Sequence, residues 1–148
     1  KFVSEHLPHD GLATQLLHGD LHPHNFLMSQ GHVCAILDYG EMRFGPQIED
    51  LAYSLYRLVR QSIVHERLAK HQELGDTVHY LSAMFLSEYS SINPISASDQ
   101  SLISVMIKHI ALKKIFHVLT SHYLHGNPRW DSDFDKHLIA LHEANYFE

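Results

Sequence analysis

The hydrophobic pattern changes period along the chain. Phe26-Leu27-Met28 and the run 33–39 (Val-Cys-Ala-Ile-Leu-Asp-Tyr) predict two short strands, joined by the turn residues Ser29, Gln30 and Gly31. The second run is apolar at successive positions, which predicts a strand buried on both faces. After Gly45-Pro46 the spacing becomes helical. Ile48, Leu51, Ala52, Leu55, Tyr56 and Val59 share one face, and Asp50, Arg57 and Arg60 fall off that stripe. A second helical region is expected over 62–91, broken near Gly75. Pro94 disfavours helix at Asn93, so 91–96 reads as a loop. Ser98 then resembles an N-cap with Asp99 in the first turn. The helix it opens, to about Leu124, carries Leu102, Ile103, Met106, Ile107, Ile110, Phe116 and Leu119 around most of its circumference, which predicts a central, buried element. His125-Gly-Asn-Pro128 stops it, and Ser132 with Asp135 resembles a capping pair for a last helix reaching Ala144. Residues 1–15, with Pro8 and Asp10-Gly11, predict a short helix or loop. The expected fold class is α+β, mostly helical, with one short antiparallel β-hairpin.

Composition narrows the picture. The 148 residues are 45% hydrophobic and 19% charged, which suits one packed domain and excludes general disorder. The net charge is -6, with 11 Lys and Arg and no basic cluster, so a nucleic-acid partner is not expected. The single cysteine, Cys34, lies in an apolar run and predicts a small buried hydrophobe in a reducing, cytoplasmic compartment. Lys108, Lys113 and Lys114 interrupt the longest apolar stretch, so no membrane span is expected. The first residue is Lys1 rather than Met, and the chain reads as part of a longer polypeptide.

The chemistry gathers in residues 18–40. Gly19 and Pro23 prevent 18–25 from forming a regular helix, so this segment is a loop held against the hairpin. Within it Asp20 and Asn25 stand five residues apart, and Asp38 follows at the exit of the second strand. Phosphoryl transfer needs a carboxylate to orient an acceptor hydroxyl and receive its proton, and oxygen ligands to hold a metal ion against the phosphates. An Asp, an Asn five residues later and the Asp of an Asp-aromatic-Gly turn have the order and spacing of a protein-kinase site. The link from Asp38 to Ile48 is short, with no Ser, no Thr and no Ala-Pro-Glu, which disfavours a loop-switched peptide kinase and favours a small hydroxylated acceptor.

His18-Gly-Asp20-Leu-His-Pro-His-Asn25, Leu37-Asp38-Tyr39-Gly40, Gly45-Pro46 and Glu49-Asp50-Leu-Ala together resemble the aminoglycoside phosphotransferase and choline kinase-like superfamily of small-molecule kinases. The resemblance is strong over residues 16–59 and architectural beyond. It implies that Asp20 is the catalytic base, that Asn25 and Asp38 are ligands of Mg²⁺, and that ATP is the phosphate donor. It also implies that His18 and Asp50 support the catalytic loop. Such kinases grip the nucleotide with a Gly-rich strand-loop-strand and a strand Lys, and neither occurs here. Residues 1–148 therefore resemble a single domain, the C-terminal lobe of a protein-kinase-like fold. The implied absence of an N-terminal nucleotide-clamp lobe predicts low activity in isolation and self-association through the exposed lobe interface.

Other readings stand beside this one. A kinase-shaped module that binds without transferring phosphate would share the fold. The chain holds 15 His, and His18, His22 and His24 suggest a transition-metal site, although they lie in a Gly/Pro loop without a second ligand pair. Glu41 is either an added carboxylate near the metals or a solvated turn residue. Asp131, Asp133 and Asp135, beside Trp130 and Phe134, suggest either an acidic aromatic pocket for a cationic substrate or acids favoured by a helix dipole. Tyr53, Tyr56, Tyr80, Tyr89 and Met84 are expected in the core or half-buried. Amino sugars, choline-like amines, homoserine, sugars and macrolides all remain as acceptors.

Overall fold

The computed structural model describes residues 6–7, 11–65 and 71–148. The described residues are mostly helical, with two small antiparallel sheets, in agreement with the expected class. Strand β1 (Thr14–Leu17) pairs with β4 (Arg43–Pro46), and β2 (Phe26–Ser29) pairs with β3 (His32–Ile36). The helices are α1 (Gln47–His65), α2 (His71–Ile92), the four-residue α3 (Ala97–Gln100), α4 (Ile103–His125) and α5 (Phe134–Glu143).

The β2–β3 hairpin turns through Gln30 and Gly31, whose φ values of 50° and 79° suit a tight two-residue turn between twisted strands. The β1–β4 pair was not foreseen. Each strand has four residues, one ends in Gly45-Pro46, and their partners lie far apart in sequence. Pro46 is tolerated because it stands at a strand end in a two-stranded sheet. This pair returns the chain from Leu17 to the start of α1, and the Gln47 N–H continues it by donating to Ala13 O at 2.8 Å.

The core is built around α1. Its stripe Ile48, Leu51, Ala52, Leu55, Tyr56 and Val59 is buried, as its spacing predicts, against Val78 of α2, Ile103, Met106 and Ile107 of α4, and Ala140 of α5. Burial of such side chains contributes about 1.5–3 kcal/mol each relative to exposure.

Several expectations are corrected. Strand β3 is not buried on both faces: Val33 is 53% exposed and Cys34 is exposed, its Sγ donating to Leu27 O at 3.2 Å. Two strands cannot cover both of their own faces. Helix α2 runs through Gly75 without a break, because Val78, one turn on, is locked into the core. The cap before α3 is Ser96, not Ser98. Ser96 is extended and its Oγ accepts from the Asp99 N–H at 3.0 Å. Helix α4 is buried along much of its first half and at Val118 and Ser121 beyond it, but not around most of its circumference: Phe116 and Tyr123 are 70% and 75% exposed. It ends at Gly126 in the left-handed conformation (φ 62°), as the His-Gly-Asn-Pro stop predicts. Ser132 caps nothing; a 3-10 segment over Pro128–Asp133 precedes α5, whose N-cap Asp133 makes no side-chain capping bond. Among the described residues no helix is long and apolar enough to cross a membrane.

Leu55 is 1% exposed at the centre of the α1 stripe. Leu55→Ala is expected to lower unfolding stability by about 2–5 kcal/mol, read from the urea midpoint. A loss below about 1 kcal/mol would contradict this placement of the core.

Candidate active site

The loop 18–25 leaves β1 at Leu17, which is fully buried beneath Gly45 of β4. A Cβ at Gly45 would meet Leu17 Cδ1 at 2.7 Å, so the glycine permits this close approach. The chain then bends at Gly19 (φ +85°). A Cβ there would collide with the Glu41 carbonyl and the Arg43 guanidinium. Both the left-handed backbone and the space require glycine.

Asp50 holds this bend from the first turn of α1. Its two carboxylate oxygens accept from consecutive backbone N–H groups, His18 at 2.6 Å and Gly19 at 2.8 Å. A carboxylate in a helix's first turn also suits the helix dipole. The His18 ring ties the bend to the hairpin exit. Its Nε2 lies 2.9 Å from Leu37 O, and its Nδ1 accepts from the Asp20 N–H at 3.4 Å. A carbonyl can only accept, so the Nε2–H tautomer satisfies both bonds.

Asn25 is buried and bridges loop and hairpin. Its Nδ2 donates to Asp20 O at 2.8 Å, and its backbone carbonyl accepts from the Leu37 N–H at 2.9 Å. The amide nitrogen is thereby committed as a donor, and Oδ1 is the acceptor atom of the same group. Asp38 follows directly on Leu37. Its φ of 60° is left-handed, a conformation Asp tolerates better than most residues. Its exposed carboxylate accepts only a long bond, 3.5 Å, from the Gly40 N–H. Asn25 and Asp38 thus present hard oxygen donors of the kind Mg²⁺ takes alongside phosphate oxygens and water. Among the described residues no three His, Cys, Asp or Glu side chains converge on a metal-binding position. His22 instead approaches Asp20, Nε2 to Oδ2 at 3.4 Å, and His24 packs edge-on against His22.

Asp20 projects into a cavity of ≈ 640 Å³ between the loop, α1, α4 and α5. The Tyr53 hydroxyl donates to Asp20 Oδ1 at 2.8 Å, and Lys114 Nζ lies 3.8 Å from the same oxygen and 4.9 Å from the Tyr53 ring centroid. Burial, followed by the hydrogen bond to Asp20, raises the Tyr53 phenol well above its ordinary range, so it remains a donor. Burial likewise lowers the imidazoles of His22, His109 and His137, with Arg57 opposing protonation at His22, Lys113 at His109 and Lys114 at His137.

The remaining candidates separate. Glu41 reaches the cavity lining and its carbonyl accepts from Arg43 Nη1 at 3.2 Å. Asp133 lines the cavity together with Trp130, but Lys136 neutralises it at 2.6 Å. Asp131 pairs with His122 at 2.7 Å, and Asp135 stands exposed in the first turn of α5. No acidic pocket forms from these three. The sequence reading missed Tyr53, Arg57 and Lys114. Tyr53, Arg57 and Arg60 stand at i, i+4 and i+7, a second and polar stripe on α1 that periodicity could have exposed.

The profile of the phosphotransferase enzyme family (APH) matches residues 2–86. The chain belongs to this family. No curated protein and no solved structure matches it. The family match covers the loop, the hairpin and α1, and ends inside α2. The cavity wall contributed by α4 and α5 of this phosphotransferase lies outside it.

Two predictions follow from the geometry of the bend and its surroundings. Asp50→Ala leaves two backbone donors without their charged acceptor, and should cost about 2–4 kcal/mol in chemical denaturation, with Asp50→Asn intermediate. Equal stability of all three chains would remove Asp50 from this role. Separately, an imidazole whose folded value is lowered binds fewer protons in the folded state than in the unfolded one. Stability should therefore fall as pH drops through 6.5, the unperturbed value, toward the lowered values of His22, His109 and His137. The urea midpoint should be lower at about pH 5.5 than at about pH 7.5; a higher midpoint in acid would contradict the assignment.

Proposed function

We propose that this chain is the catalytic, C-terminal lobe of a kinase-like phosphotransferase that moves the γ-phosphate of ATP to a hydroxyl of a small molecule. The observation that carries the reading is the Asn25 bridge. Its side-chain amide nitrogen holds the backbone carbonyl of Asp20, and its backbone carbonyl holds the N–H of Leu37, the residue just before Asp38. In this reading Asp20 orients the acceptor hydroxyl and takes its proton as the oxygen attacks phosphorus and ADP departs. The Tyr53 hydroxyl at 2.8 Å shows that an O–H donor fits against Asp20 Oδ1. Asn25 and Asp38 would hold Mg²⁺, which on binding neutralises phosphate charge. His18 and Asp50 act as positioning residues: they set the backbone from which Asp20 and Asn25 project.

Catalysis in this scheme is mostly orientation and charge neutralisation. The nucleotide clamp, a Gly-rich strand-loop-strand with a Lys, has no counterpart in residues 1–148. Leu27, Met28, Val33 and Phe44 are exposed on the two small sheets, Phe44 at 81%, and are apolar side chains that we assign to contact with such a lobe.

Asp20→Asn, made in the complete protein together with its nucleotide lobe, should lower ATP-dependent turnover at least about a hundredfold and leave the thermal midpoint within a few degrees. Unchanged turnover would refute the role of Asp20. Turnover absent from the unaltered protein with every hydroxylated acceptor would instead support a binding module.

A further inference from the structure

The charges around the cavity are not evenly satisfied. Arg60 is held by Glu143 at 2.8 Å, and Tyr56 donates to the same carboxylate at 2.8 Å. Lys113 is held by Glu49 at 3.1 Å, and Lys136 by Asp133 at 2.6 Å. Lys114 leans on Asp20 at 3.8 Å. Arg57 also lines the cavity, half-buried, and has no carboxylate partner among the described residues. A guanidinium stays charged at any physiological pH, and its planar fork matches a carboxylate or phosphate in two parallel hydrogen bonds.

Arg57 is also well placed. It stands one helical turn beyond Tyr53, which touches Asp20. Four residues of helix advance about 6 Å. A small molecule with its hydroxyl at Asp20 would reach Arg57 with a group only a few bonds away. Ile107, Ala111 and Ala140 line the same cavity and give it an apolar wall. Through that medium the guanidinium field is less screened than in water. Burial, more than any charge, lowers the imidazoles of His22 and His137, and the Arg57 charge adds a smaller lowering at each.

We infer that the acceptor is a compact hydroxylated anion, whose carboxylate or phosphate is received by Arg57 while its hydroxyl lies against Asp20. The inference rests on the phosphotransfer reading for the role of Asp20, but anion recognition itself does not. A cationic acceptor is disfavoured, because its ammonium would meet Arg57 and Lys114 where carboxylates would be needed.

Calorimetric titration of the full chain tests this with D-glycerate and glycerol 3-phosphate, against glycerol and choline. At least one of the two anions should bind, and glycerol and choline should bind at least about tenfold more weakly. Arg57→Gln should weaken the anion at least about tenfold, roughly 1.4 kcal/mol, and Arg57→Lys should restore part of it. Preference between the two anions identifies the acid group as carboxylate or phosphate. No binding by either anion, equal binding by choline, or anion binding unchanged in Arg57→Gln would overturn the inference. A loss in Arg57→Gln confined to ADP would also overturn it, since Arg57 would then serve the nucleotide. Anion binding through Arg57 without any ATP-dependent transfer by the complete protein, nucleotide lobe included, would end the kinase reading and leave the anion site standing.

Discussion

The arrangement of this molecule's chemistry depends on one carboxylate accepting two consecutive backbone N–H groups. Asp50 reaches from the first turn of α1 to His18 and Gly19, and so fixes where the loop 18–25 starts and which way it turns. A loop cannot pair its own backbone donors as a helix or sheet does, and donors left unpaired away from water are costly. Here a single charged group satisfies two of them. It can do so because β4, which runs into α1, pairs with β1, which runs into the loop. The two ends of the contact are therefore delivered by one small sheet. Gly19 completes the condition: any larger residue would meet Glu41 and Arg43.

The remaining order passes outward from that bend through short polar bonds. His18 connects it to Leu37, and Asn25 connects Asp20 to the same point of the hairpin. Residues 20, 25 and 38 are thereby carried on one hydrogen-bonded frame. Among the described residues two outside glycine are left-handed, Gln30 in the hairpin turn and Asp38 at its exit. The first serves a turn. The second, on the carboxylate assigned to the metal, is where a strained backbone commonly serves function.

The environment of Asp20 is set from further away. Tyr53 and Lys114 approach it from α1 and α4, and Arg57, without a carboxylate partner among the described residues, stands beyond them. The matched family region holds Asp20, Tyr53 and Arg57, whereas Lys113, Lys114 and His137 lie past residue 86. The surroundings of Asp20 are thus drawn both from the region matched by the phosphotransferase family and from the helices beyond it.

Local pattern carried much of this protein. The α1 stripe, the hairpin with its Gln30-Gly31 turn, the Gly126 stop and the loop bearing Asp20 and Asn25 all follow from spacing and backbone chemistry, because each involves residues near in sequence. Errors arose where a partner was distant or missing. Cys34 and Val33 looked internal, yet a two-stranded hairpin offers nothing to cover them. Gly75 looked like a break, but packing of Val78 outweighed its weak propensity. The β1–β4 pair, the reach of Asp50 to the bend, and the cavity that gathers Tyr53, Arg57 and Lys114 belong to the tertiary structure alone. Sequence determined which side chains could do the chemistry, since that is a property of residue type and short spacing. Folding decided which charges face one another, since attraction depends on distance through space, and residues 20 and 114 are neighbours only once α4 packs against α1.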